Sequence, residues 1–409
     1  MRSGSKVFGA RGATRPPSYR GLHGLNTAAR VLAEVRTVSR SGPLDVLRGL
    51  AVTVVLGRHA FELTPAASAG APSVLLVWQR IGWSGVDLFF VLSGFLIGQL
   101  LVKELFASGR VRVGRFLLRR GFRIYPPFYL LLGLTLLFFR PLMRFSARAA
   151  WSEALFLQDY VTAPLRIWNH TWSLAVEEQF YLSLPLLLLL VASLPSQRPL
   201  ADRLVRWLLA LIAAVLVARV FTGLTGPFSL DRVVFPAHLR FDALFVGVAL
   251  AVAHVAWRAE FKSFVRRHRW HLLTFAAAAL LPIALWPLER LFIHTIGFTL
   301  FALGWGCLVA VAAETEVAPF VVRPLSAIGQ ASYSIYLFHL PVHVLVEEHY
   351  GKGAAVAWPV FLLYVGLSLG VGGLLHLLVE RPGLALRDRL IPTVAVVQTA
   401  ASERAAVVA

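Results

Sequence analysis

Apolar residues along this chain come in long blocks separated by short, arginine-rich polar segments. Blocks fall near 44–63, 81–101, 124–139, 172–194, 204–222, 236–256, 272–287, 294–313, 327–346 and 356–379, ten in all. About 20 consecutive apolar residues are enough for a helix to cross the hydrocarbon core of a bilayer. The pattern therefore predicts an all-α integral membrane fold of about ten transmembrane helices. Residues 1–43 lack an apolar stretch near their start, so they read as a basic mobile tail and not as a cleavable signal peptide. The expected membrane domain runs from 44 to 382, followed by a tail over 383–409.

Composition agrees with the pattern. Of 409 residues, 57% are hydrophobic and 15% charged, against about 25% charged in soluble domains. Forty Lys and Arg against 21 Asp and Glu leave a formal charge of +19. That excess fits nucleic acid, anionic lipid or an anionic substrate as well as topology, and the placement of the charges separates these options. Twenty-eight of the 40 basic residues fall in segments on the side of the first tail, eight on the opposite side and four within spans. This bias places both tails in the cytoplasm and leaves no charge excess that calls for a nucleic-acid partner. The single cysteine, Cys307, excludes internal disulfides and thiolate metal sites.

Ionisable residues inside spans cost roughly 2.5–3.5 kcal/mol on insertion scales, and so mark candidate function. The first span, LDVLRGLAVTVVLGRHAFEL, holds Asp45, Arg48, Arg58, His59 and Glu62. Eleven residues separate Arg48 from His59, about three helical turns plus 20° and roughly 16 Å of rise. Both thus lie on one face at different depths, with Asp45 one turn from Arg48 and able to pair with it. The second span buries Asp87 and Ser93, and its Gly94 and Gly98 form a small-residue step suited to close helix approach. Arg120 and Arg123 follow, spaced so that their guanidinium groups can converge on one polyanion, although arginines that only set topology would look the same. In the fourth span Glu177 and Glu178 point in different directions, so at least one faces a polar interior. Arg240 and Asp242 suggest a buried ion pair, with each other or with neighbouring helices. His339 and His343, four residues apart around Pro341, lack the carboxylate pattern of a metal site, and no metal is expected. The connection over about 140–171, carrying Trp151, Phe156 and Trp168 ahead of Trp172, suits either a cover for a cavity or an aromatic belt.

Six segments in order resemble the acyltransferase-3 family of bacterial membrane O-acyltransferases: LDVLRGLAVTVVLGRH, GVDLFFVLSGFLI, RRGFRIYP, WSLAVEEQFYL, RFDALFVGVALA and SYSIYLFHLPV. The resemblance implies a ten-helix membrane fold in the cell's inner membrane that takes cytoplasmic acyl-CoA, commonly acetyl-CoA, as co-substrate. It implies acylation of a hydroxyl on a cell-surface polysaccharide or other glycan, a lipid-linked sugar or a secondary metabolite. By the same resemblance Arg48 and His59 match the family's essential pair, Arg120 and Arg123 its acyl-CoA motif, and Glu178 its acidic fourth-span position. No segment resembles the soluble SGNH-type domain fused to some members, which weakens an expectation of peptidoglycan-type chemistry.

Transfer from a thioester to an alcohol needs a base, oxyanion stabilisation and an anchor for the donor's phosphates. His59 is the expected base, oriented by Glu62 or Glu178, with Arg120 and Arg123 holding the nucleotide end and Arg48 between them. The rival reading is a transporter or flippase of a glycolipid or small polar solute, since such proteins also bury charge. Against it, the two halves show no inverted repeat.

Overall fold

A computed structural model of the chain describes residues 42–60, 73–139, 145–162, 166–316, 319–350 and 357–392. All regular structure among them is helical. The first helices are α1 (Gly42–Ala60), α2 (Ser73–Ile81), α3 (Gly85–Ser108), α4 (Val113–Leu134) and the short α5 (Ala147–Ala154). Next come α6 (Trp172–Ser193), α7 (Leu200–Leu224), the one-turn α8 (Leu230–Val233), α9 (Phe241–Ala256), α10 (Arg258–Arg267) and α11 (Arg269–Leu285). The last are α12 (Phe298–Ala313), α13 (Pro319–Gln330), α14 (Ser332–Tyr350), α15 (Ala357–Leu375) and α16 (Arg381–Leu390).

The described residues of each apolar block lie mainly on these helices, but not every block makes a simple crossing. Among the described residues, six helical stretches are long and apolar enough to cross a membrane, or seven if the pair α9 and α10, bent by 113°, is one span. The first block falls short because α1 carries Asp45, Arg48 and Arg58. The block over 272–287 makes a helix of only 17 residues. The block over 327–346 is interrupted at Ala331, where α13 ends and α14 begins.

Close helix contacts occur where the side chain is a hydrogen atom. A Cβ at Gly94 of α3 would lie 2.0 Å from the Leu244 carbonyl oxygen of α9, and one at Gly247 of α9 would lie 2.2 Å from that of Val91. The glycine step of the second span thus serves the approach of α9. Gly329 of α13 meets α1 the same way, with 1.8 Å between a virtual Cβ and the Asp45 carbonyl oxygen. These contacts draw α1, α3 and α9 into one buried core that also includes α4, α6 and α14. A π-helical turn, His376–Glu380, joins α15 to α16 and buries Glu380.

Candidate functional site

Two polar cavities open within this core, and α1 contributes to both. The first, about 760 Å³ of empty space, is lined by Arg48, Arg120, Arg123, Glu177, Tyr181 and Ser93 among others. The second, about 1320 Å³, is lined by His59, His170, His343, Arg58 and Arg240, with Trp83, Trp168 and Trp172 as aromatic walls. Val86 and Tyr336 belong to both linings. The spacing of Arg48 and His59 therefore does what helical geometry requires, placing one residue in each chamber along a single helix face.

In the arginine chamber, Arg48 pairs with Asp45 one turn away, Nη1 to Oδ1 at 3.3 Å. Arg120 lies over the rings of Phe116 and Tyr181, at 5.9 and 5.8 Å. Arg123 reaches Glu380 of the π-turn at 3.8 Å, and Glu380 also accepts from Ser334 at 3.0 Å. Tyr181 donates to Glu177 at 2.6 Å, so its oxygen accepts from Ser93, also at 2.6 Å. Three guanidinium groups line this chamber; Asp45 engages one, Glu380 approaches a second at 3.8 Å, and Arg120 rests on aromatic faces, an arrangement that can still take a polyanion.

Glu178 sits elsewhere. It accepts a hydrogen bond from Tyr125 at 3.0 Å and lines neither chamber, whereas its neighbour Glu177 does. Adjacent helical positions point about 100° apart, and the sequence shows both carboxylates without showing which one α3 and α4 enclose. Glu62 lies outside the described residues.

The histidine chamber contains groups that spacing along the chain does not connect. His170 Nε2 lies 3.0 Å from the Leu337 carbonyl oxygen, which can only accept, so Nε2 donates. Likewise His339 Nδ1 donates to the Tyr336 carbonyl oxygen at 2.5 Å. The other nitrogens, His170 Nδ1 and His339 Nε2, are buried without a hydrogen-bond partner. The His339 ring centroid is 5.2 Å from that of His59 and 5.0 Å from that of His170. Among the described residues no group of His, Cys, Asp or Glu is arranged to hold a metal ion.

The connection between α4 and α6 holds this chamber's wall in place. Glu153 of α5 accepts from Thr171 Oγ1 at 3.0 and 2.9 Å and from the Trp168 backbone N–H at 3.2 Å. Trp168 itself donates to Thr135 Oγ1 at 2.9 Å. Phe156 adopts a left-handed backbone, φ 55°, which lets its ring stack on Phe128 with centroids 4.3 Å apart. Of the aromatic residues in and after this connection, Trp168 and Trp172 line the cavity while Trp151 is exposed, so it both covers and faces outward.

Arg240 and Asp242 do not pair with each other. Arg240 pairs with Asp87 of α3, and Asp242 with Arg219 of α7 at 2.7 Å, so both ion pairs cross between helices.

A family model described as an acyltransferase domain matches residues 43–377. The chain is 27% identical over 326 residues to the O-acetyltransferase OatA of Staphylococcus aureus strains NCTC 8325, COL and MRSA252. In each case the match covers 75% of this chain and 53% of the relative, so the chain spans about half the length of these curated relatives. No solved structure matches.

Proposed function

The chain belongs to the acyltransferase-3 family, and on that premise we propose that it is a membrane O-acyltransferase using acyl-CoA, acetyl-CoA in the first instance, as donor. The acceptor is a hydroxyl of a glycan, a lipid-linked sugar or a secondary metabolite. The observation that carries this reading is the pair of chambers back to back, one rich in arginine and one in histidine, joined by α1. A transporter needs no such division into a polyanion end and a base end.

In this reading both tails lie in the cytoplasm, the chain makes about ten crossings of the inner membrane, and the arginine chamber faces inward. Arg120 and Arg123 hold the phosphates of the donor, and Arg48 stands where its acyl arm enters. His59 takes the proton of the acceptor hydroxyl from the second chamber as that oxygen attacks the thioester carbonyl. The tetrahedral intermediate collapses with release of the CoA thiol. His339 and His170, held by backbone carbonyls, fix the surroundings of His59. Glu178, at the acidic position of the fourth-span motif, acts from outside both linings through Tyr125. OatA is named as an O-acetyltransferase, which supports acetyl as the transferred group.

The test uses membranes containing the full chain and radiolabelled acetyl-CoA. The expected result is hydroxylamine-sensitive ester in the wild type. His59→Ala should lose it by at least about a hundredfold, the usual contribution of a general base, while inserting at the wild-type level. Full ester formation by that variant would remove His59 from the mechanism.

A further inference from the structure

The two buried Arg–Asp pairs that cross between helices differ in how fully they are satisfied. Arg219 is saturated. Its Nη1 and Nη2 meet Asp242 Oδ1 and Oδ2 at 3.1 and 2.7 Å, Nη1 also reaches the Leu239 carbonyl at 2.7 Å, and Nε reaches that of Thr295 at 2.8 Å. Thr299 completes the set, donating to Asp242 at 2.7 Å. Every part of that guanidinium is used within the fold, and none of it lines a chamber.

Arg240 is held by one contact, Nη2 to Asp87 Oδ1. Its Nε and Nη1 have no hydrogen-bond partner, although the residue is only 2% exposed. Phe298 covers the face of the guanidinium at 3.8 Å, with Trp172 at 5.7 Å. Stacking satisfies the plane of the group but not its edge, where the N–H bonds lie. A buried donor without a partner costs about 1–3 kcal/mol, more when charged. The fold saturates Arg219 but leaves Arg240, in the wall of the cavity, with two unmet donors, and its partner Asp87 with one unmet oxygen.

A second guanidinium, that of Arg58, lines the same cavity beside the imidazoles of His59, His170 and His343, and no acidic group of the described residues lines it. Trp83, Trp168 and Trp172 supply flat apolar surface of the kind that packs against a sugar ring.

We propose that the histidine chamber binds an acceptor bearing an oxyanion, a carboxylate or a phosphate on the sugar, and that Arg240 is the residue that holds it. Asp87 is the positioning partner, holding the guanidinium in the wall of the cavity through Nη2 and leaving Nε and Nη1 for the ligand. Naming the ligand as the acceptor rests on the acyltransferase reading; the presence of the anion site does not.

The experiment uses the purified full chain in nanodiscs of zwitterionic phosphatidylcholine, which removes anionic lipid as a competitor. Binding of methyl β-D-glucuronide, methyl β-D-glucoside and methyl β-D-glucoside 6-phosphate is followed by quenching of tryptophan fluorescence. One anionic glycoside should bind at least about tenfold more tightly than the neutral one, and which one does so separates carboxylate from phosphate. The double variant Asp87→Asn with Arg240→Gln removes both charges together and avoids leaving an unpaired carboxylate. It should melt near the wild-type temperature and bind the three glycosides equally. Equal binding by the wild type, binding of none, or a preference that survives in the double variant overturns the proposal. Ester formation from labelled acetyl-CoA is measured in the same nanodiscs. Anion preference without any ester would refute the transferase and leave the site standing.

Discussion

Arg120 and Arg123 stand three residues apart on α4, and both side chains reach the same cavity as Arg48. Their environments differ. Arg120 rests against aromatic faces, while Arg123 meets a carboxylate only at 3.8 Å, too long for a direct hydrogen bond. Neither charge is consumed by the fold as Arg219 is, so both remain available to phosphate oxygens. The variant Arg120→Ala with Arg123→Ala should raise the KM for acetyl-CoA by at least about tenfold, as expected for loss of charge-assisted contacts, and change kcat less. Steady-state kinetics in membranes at fixed acceptor concentration measures this, and an unchanged KM would return the two arginines to a role in topology. At this scale, local pairing was legible in the sequence and distant pairing was not. Asp45 and Arg48 share one turn, so helical spacing alone brings them together. Asp87 and Arg240 are separated by 153 positions, and only the packing of α3 on α9 makes them partners.

Among the elements, the glycine step at Gly94 and Gly98 announced a close helix contact because small residues permit little else in an apolar run. Which helix approaches depends on the matching Gly247 in α9, a correspondence visible only in three dimensions. The break at Ala331 was hidden for the opposite reason, since the apolar character continues across it while the helix stops. The connection between α4 and α6 carries a titratable anchor. Burial pushes the Glu153 carboxyl from 4.5 up to about 7, against the hydrogen bonds from Thr171 and Trp168 that favour its ionised form. Between these values the folded protein holds a proton that the unfolded chain has released. Stability therefore falls as pH rises from about 4.5 to about 7, by on the order of 3 kcal/mol at most, and is level above. In detergent, Glu153→Gln should flatten this part of the melting-temperature profile relative to the wild type. Parallel profiles for the two proteins across that range would show that Glu153 does not titrate there.

Across the whole molecule, the charge bias and the two chambers make one joint claim about direction, with the arginine chamber on the cytoplasmic side. Single cysteines in a Cys307→Ser background test it. Ser146→Cys should react with a membrane-impermeant maleimide in intact cells, and Ser108→Cys only after permeabilisation; the reverse pattern would invert the proposed orientation. The chambers themselves could not be read from the sequence, because their walls come from helices far apart in the chain. What the sequence did expose was the face of α1 that runs from one to the other. Between them stand Val86 and Tyr336. The Tyr336 hydroxyl donates to the His170 carbonyl at 2.8 Å and lies 2.6 Å from Ser173 Oγ, so this side of the partition is tied to α6. Val86 is buried and apolar, with no bond of its own to hold it. Direct transfer requires the thioester and the acceptor oxygen to approach within about 3–3.5 Å, and in the proposed mechanism donor and acceptor meet at this partition. Val86→Trp adds bulk at that partition while leaving Arg120, Arg123 and Arg240 in the chain. It should lower kcat by at least about a hundredfold, as misplacement of reacting groups does, while acetyl-CoA still binds with wild-type affinity in equilibrium dialysis. Weakened donor binding with undiminished kcat would place the transfer elsewhere than at this wall.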